Sequence, residues 1–251
     1  MHRREALKLF AGLALCLLCA PKGFAEGANW SYEGASGADK WGELDPANKA
    51  CSAGVQQSPI NIGEAIKAQL QPLKITWAKT AESLINTGRT IQVNMGESST
   101  FSVGSGANFR LVEFHFHRPS EHTVNGASFP MEAQFVHSNA AGNLAIVSVL
   151  LTGGRPNKAF NEIVLTMPNR EGPVVKADPK IDPNALLPAK RGYYRYEGSL
   201  TTPPCSETAD WYVFADPVQV SDADINSFAR LYPMNARPVQ KDNRRFVLRS
   251  P

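Results

Sequence analysis

The stretch Glu113-Phe114-His115-Phe116-His117 decides how this chain folds. Successive residues of a strand face opposite sides of a sheet, so Glu113, His115 and His117 share one face, while Val112, Phe114 and Phe116 make an apolar packing face. Both imidazoles then converge on one point. The stretch Met131-Glu132-Ala133-Gln134-Phe135-Val136-His137 reads as a partner strand, with Met131, Ala133 and Phe135 packing and Glu132, Gln134 and Val136 on the opposite face. It offers Gln134 where a third imidazole would complete a metal site, and parity turns His137 away. Taken alone, the His-x-His pair is a weak signal, since hydrogen-bonded strand histidines are commoner than metal ligands.

Around this pair lie further short β-favouring runs at residues 91–94, 144–151 and 211–215, with Asn139-Ala140-Ala141-Gly142-Asn143 as a hairpin turn. Helical signals are fewer. One begins at Pro156 and runs through Phe160, Ile163, Val164 and Met167 to Pro168; another follows Ser221 and Asp224, which resemble a capping box. Residues 30–59 read as an irregular arm pinned by aromatic side chains. No linker or internal repeat divides the chain, and the predicted class is mainly β.

The first 25 residues have the pattern of a cleavable export signal: a basic start, an apolar run over residues 9–20 and a small-residue exit at Gly23-Phe24-Ala25. Arg3-Arg4-Glu5-Ala6-Leu7-Lys8 resembles a twin-arginine signal, with Ala6 in place of the usual phenylalanine. Cys16 and Cys19 each follow leucine, which argues against lipid attachment, and no run is long enough to span a bilayer. The chain carries 26 basic and 23 acidic residues. Removing residues 1–25 takes away four basic residues (Arg3, Arg4, Lys8, Lys22) and one acidic residue (Glu5), which leaves 22 of each sign. No positive excess remains to favour nucleic acid or an anionic membrane. The mature region, residues 26–251, keeps Cys51 and Cys205; in an oxidising compartment one bridge is the simplest reading, and two free thiols the other.

Five separated motifs resemble the α-class carbonic anhydrases over residues 30–240: Gln57-Ser58-Pro59-Ile60-Asn61-Ile62, Phe114-His115-Phe116-His117, Ser120-Glu121-His122-Thr123-Val124, Gly198-Ser199-Leu200-Thr201-Thr202-Pro203-Pro204-Cys205 and Asn235-Ala236-Arg237-Pro238-Val239-Gln240. The resemblance implies a twisted, mostly antiparallel sheet of about ten strands, peripheral helices and a conical cavity reaching Zn2+. It implies a Cys51–Cys205 disulfide and cis peptides at Pro59 and Pro204. In such enzymes zinc lowers the pKa of bound water to about 7, and the resulting hydroxide attacks CO2 to give bicarbonate; carbonic anhydrase is the standard example of that effect.

Carried over by resemblance, His115 and His117 are metal ligands and Gln134 takes the third ligand position. Glu113 and Glu132 match positions that orient the ligands, although the family more often has glutamine at the position of Glu113. Thr201 matches the residue that accepts from zinc-bound hydroxide and donates to Glu121. Thr202 matches a bicarbonate contact, and Val136, Ile146, Leu200 and Trp211 match the apolar wall where CO2 rests.

Two residues depart from the family pattern. Gln134 is a neutral, harder and weaker donor than imidazole. Arg89, in Asn86-Thr87-Gly88-Arg89, replaces the proton-shuttle histidine and stays protonated at any working pH. Direct loss of a proton from a group of pKa near 7 to solvent caps turnover at about 10^3 per second. The leading expectation is an exported, periplasmic or secreted zinc carbonic anhydrase of modest turnover, a monomer or homodimer without stable membrane association. The alternative is a catalytically silent binding protein on the same fold.

Overall fold

Six strands carry the architecture: Ile91–Asn94, Phe109–His117, Met131–Ser138, Leu144–Gly153, Ala209–Phe214 and Tyr193–Gly198, side by side in that order. The computed structural model describes residues 29–251, so the proposed export signal lies outside the described residues. Among those residues the larger sheet has thirteen strands, ten along one hydrogen-bonded path, beside a three-stranded sheet of two-residue strands. The mainly β class and the large sheet with few short helices agree with expectation. Most pairings are antiparallel, but Leu144–Gly153 runs parallel to both Ala209–Phe214 and Val218–Val220, which makes the sheet mixed.

The packing face of the histidine strand differs from simple alternation. Val136 stands opposite Glu113 while His137 stands opposite Leu111, so Val112 is an extra residue in a bulge. Leu111 therefore joins Phe114 and Phe116 in the core, and Val112 is only half-buried, its carbonyl accepting from Met95 N–H at 3.0 Å. Alternation continues unbroken on the neighbouring strand. Phe135 and His137 stack on the same Trp77 ring, with centroids 4.5 and 5.6 Å away, so His137 packs on the core side, as parity requires.

Helices Lys158–Thr166 and Asp222–Ala229 cover that packing face: Phe160 and Phe228 place their rings 5.2 and 6.1 Å from Phe116. The first is capped by Asn157, one residue beyond the expected Pro156, whose side chain accepts from Ala159 and Phe160 N–H. Ser221 caps the second through Asp224 N–H, but the Asp224 carboxylate accepts from Asn161, so the capping box is only half formed. The hairpin closes through Asn139 N–H to Asn143 O at 3.1 Å, with Gly142 at φ 81° where a β-carbon is disfavoured. In the arm, Trp30, Tyr32 and Trp41 pack edge to face beside a disulfide between Cys51 and Cys205. Ser58–Pro59 and Pro203–Pro204 are cis, and so is Arg118–Pro119.

Candidate metal centre and active site

Register brings the chemistry together, because Gln134 pairs with His115 and Glu132 with His117. The two imidazole centroids are 4.9 Å apart. His117 Nδ1 lies 2.7 Å from the carbonyl oxygen of Asn235, and a carbonyl only accepts, so the proton sits on Nδ1 and a lone pair is left on Nε2. That Nε2 is buried and has no hydrogen-bond partner. His115 Nδ1 likewise donates to the Glu113 carboxylate, with the two oxygens at 3.0 and 3.1 Å, which frees its Nε2. Burial pushes the pKa of both histidines down. For His115 the charge and hydrogen bond of Glu113 outweigh burial and raise it overall, whereas for His117 burial prevails over the nearby Glu121.

Beneath the histidines lies a buried polar network. Gln134 Nε2 donates to Glu121 Oε2 at 2.8 Å and to Glu132 Oε1 at 3.0 Å. Glu132 Oε1 also accepts from His122 Nδ1 and Ser148 Oγ, and Glu132 Oε2 from the N–H groups of Glu121 and His122. Burial alone would raise the Glu132 pKa, but the charge of His122 and these hydrogen bonds bring it down to about 2. The network continues from His122 Nε2 to Tyr196 and from Tyr196 to Ser58. Glu121 Oε1 accepts from Arg237 N–H at 2.8 Å, and Glu121 Oε2 is 3.5 Å from His117 Nε2.

Thr201 is buried on the loop after Tyr193–Gly198, but its hydroxyl makes no hydrogen bond to Glu121, whose oxygens accept from Gln134 and Arg237. That loop is tied down by Trp211 Nε1 donating to Ser199 O, Leu200 N–H to Ser206 O and Cys205 N–H to Thr202 O. Val136, Ile146 and Trp211 lie in one line of register across three strands, all buried, with half-buried Leu200 packed against the cluster that holds Ile146 and Trp211. At the arm, Arg89 holds its guanidinium 4.3 Å over the Trp30 ring and donates from Nε to Trp30 O at 3.3 Å. Trp30, Arg89, Glu171 and Tyr232 line a cavity of about 340 Å³ that reaches Asn235.

The profile described as eukaryotic-type carbonic anhydrase matches residues 36–251. The chain belongs to the carbonic anhydrase family. It is 40% identical over 223 residues to a carbonic anhydrase of Klebsiella pneumoniae, covering 88% of this chain and 91% of that one. A carbonic anhydrase of the Nostoc strain PCC 7120 is 37% identical over 258 residues, covering 99% and 97%. The α-carbonic anhydrase of Thermovibrio ammonificans, solved with the inhibitor sulfanilamide, superposes with a TM-score of 0.86 at 43% identity, covering 88% of this chain and 99% of that one.

Carbonic anhydrases of the α type are zinc enzymes. In this member, two unengaged imidazole nitrogens, one of them buried, suit a borderline metal such as zinc. Among the described residues no group of three or more His, Cys, Asp and Glu could hold a metal ion, and Gln134 stands opposite His115 in the register. Sequence reasoning gave no role to Asn235 and Arg237, whose backbone atoms contact His117 and Glu121, although both sit in a quoted motif. Ser148 also escaped notice, because a serine inside an apolar run gives no sign of which carboxylate it meets.

Proposed function

We propose that this carbonic anhydrase interconverts CO2 and bicarbonate at a zinc centre held by His115, His117 and Gln134. The observation that carries the reading is the buried, unpartnered Nε2 of His117, because an orphaned lone pair inside a protein costs about 1–3 kcal/mol unless something fills the site. Zinc bound there would supply a Lewis acid that acidifies a coordinated water to a pKa of about 7. The chain's own residues supply the rest. Glu113 and Asn235 fix the ring orientations and tautomers of His115 and His117. Val136, Ile146, Leu200 and Trp211 exclude water from the place where CO2 rests, and Thr201 and Thr202 offer hydroxyls to the reacting oxygens. Arg89 accepts no proton, so the proton leaves to buffer and turnover is modest. Residues 1–25 export the chain to the periplasm or beyond, where it acts as a monomer or homodimer.

Metal analysis of the purified mature protein, paired with stopped-flow CO2 hydration for wild type and Gln134→His, tests this reading. About one zinc per chain with measurable hydration supports it. A second reading, a catalytically silent binding protein, is favoured by the Gln134 carboxamide itself, a neutral and weaker zinc donor than imidazole. A metal-free chain that Gln134→His turns into a zinc enzyme would support that reading instead.

A further inference from the structure

Gln134 does more than replace an imidazole, because its two N–H groups reach two carboxylates on different elements. Nε2 lies 2.8 Å from Glu121 Oε2 and 3.0 Å from Glu132 Oε1. Ionised carboxylates only accept, so the nitrogen must occupy this side; a flipped amide would bring its oxygen against two anions and forfeit both charge-assisted bonds. Neither carboxylate is free to turn away. Glu132 is held by His122, Ser148 and the N–H of Glu121, and Glu121 by Arg237 N–H. A ligating histidine at this position has one N–H left to give and can engage one carboxylate, whereas the carboxamide engages both.

We propose that Glu121 and Glu132 together lock the Gln134 amide in the orientation that frees its oxygen as a metal donor. This makes Glu121 a positioning residue for the metal site. The proposal rests on the zinc reading above and adds a coupling that a three-histidine centre lacks.

Zinc affinity measured by chelator competition on wild type, Glu121→Gln, Gln134→His and the double variant tests it without using activity. Glu121→Gln is expected to weaken zinc binding by about tenfold in the native chain and by less than about threefold in the Gln134→His background. Equal losses in both backgrounds, or no loss in the native chain, would overturn the proposal. Glu121→Asp, which keeps the charge but withdraws the carboxylate, replaces the glutamine variant if that one does not fold. A metal-independent readout separates this idea from the functional reading: 15N NMR of the metal-free protein should show slowly exchanging Gln134 side-chain amide protons that lose protection in the Glu121 variant. Protected protons in a chain that takes up no zinc would uphold the lock while the metal reading fails. Fast-exchanging protons in the native chain would sink the lock itself.

Discussion

Trp77 donates its indole N–H to Nε2 of His137 at 3.1 Å, which holds that nitrogen as an acceptor. The opposite ring nitrogen donates to Ala145 O at 3.0 Å, so the neutral ring is satisfied at both ends inside the core. Burial pushes the His137 pKa from 6.5 down to about 3. The folded pKa is depressed, so between these two values the unfolded chain binds a proton that the folded chain does not. The stabilisation is fully present above pH 6.5 and is lost as pH falls towards 3. About 2.5 kcal/mol should disappear between pH 7 and 4.5 through this group alone. Urea unfolding across that range should show the slope, and His137→Gln should flatten it; an unchanged slope would count against the buried neutral ring.

Glu113 faces His115 with both oxygens, where a carboxylate strengthens the donor power of the ring more than a neutral amide does. Glu113→Gln is therefore expected to weaken zinc retention by about tenfold. In the metal-free protein it should also lower the His115 pKa, which Glu113 holds up. Chelator competition and an NMR titration check the two effects separately, and unchanged zinc retention would remove the argument.

Strands Ile91–Asn94 and Phe109–His117 were readable to the residue, because period-two alternation and β-branched or aromatic residues mark them. The two-residue strands Ile66–Lys67, Thr123–Val124 and Leu248–Arg249 were not, since two residues carry no period and pairing with distant segments makes them. The bulge at Val112 was invisible for a related reason: both Leu111 and Val112 are apolar, and only the register against His137 shows which one is extra. In the candidate site, residue types and motifs pointed to the side chains proposed to carry chemistry. They did not show that Gln134 turns its nitrogen towards Glu121, which depends on where two backbone segments meet.

Arg89 is bound to the arm through the Trp30 ring and carbonyl, and under the proposed function it fills the place of a proton-relaying side chain. Arg89→His should raise CO2 hydration in weak buffer by about tenfold or more and reduce its dependence on added imidazole. Stopped-flow rates at two imidazole concentrations measure both. A wild-type rate that ignores buffer and stands well above about 10^3 per second would contradict the proton-transfer account.

The Cys51–Cys205 disulfide closes a separation of 154 residues and ends the loop that carries Thr201 and Thr202. Chain-entropy arguments give such a closure about 5 kcal/mol, and measured losses run to about 2–5 kcal/mol. The double variant Cys51→Ser, Cys205→Ser should lose stability in that range by urea unfolding and should hydrate CO2 more slowly, because the loop loses its tether to the arm. Full activity in a destabilised variant would confine the bridge to a structural role.

The strand bearing Gln134 is hydrogen-bonded along both edges, to the histidine strand on one side and to Leu144–Gly153 on the other. Sliding it by one position would swing an aromatic ring, Phe135, into the polar chamber and force Glu132 into oil, an exchange two ladders forbid. Change at position 134 is thereby confined to swapping one side chain for another on a backbone that stays still.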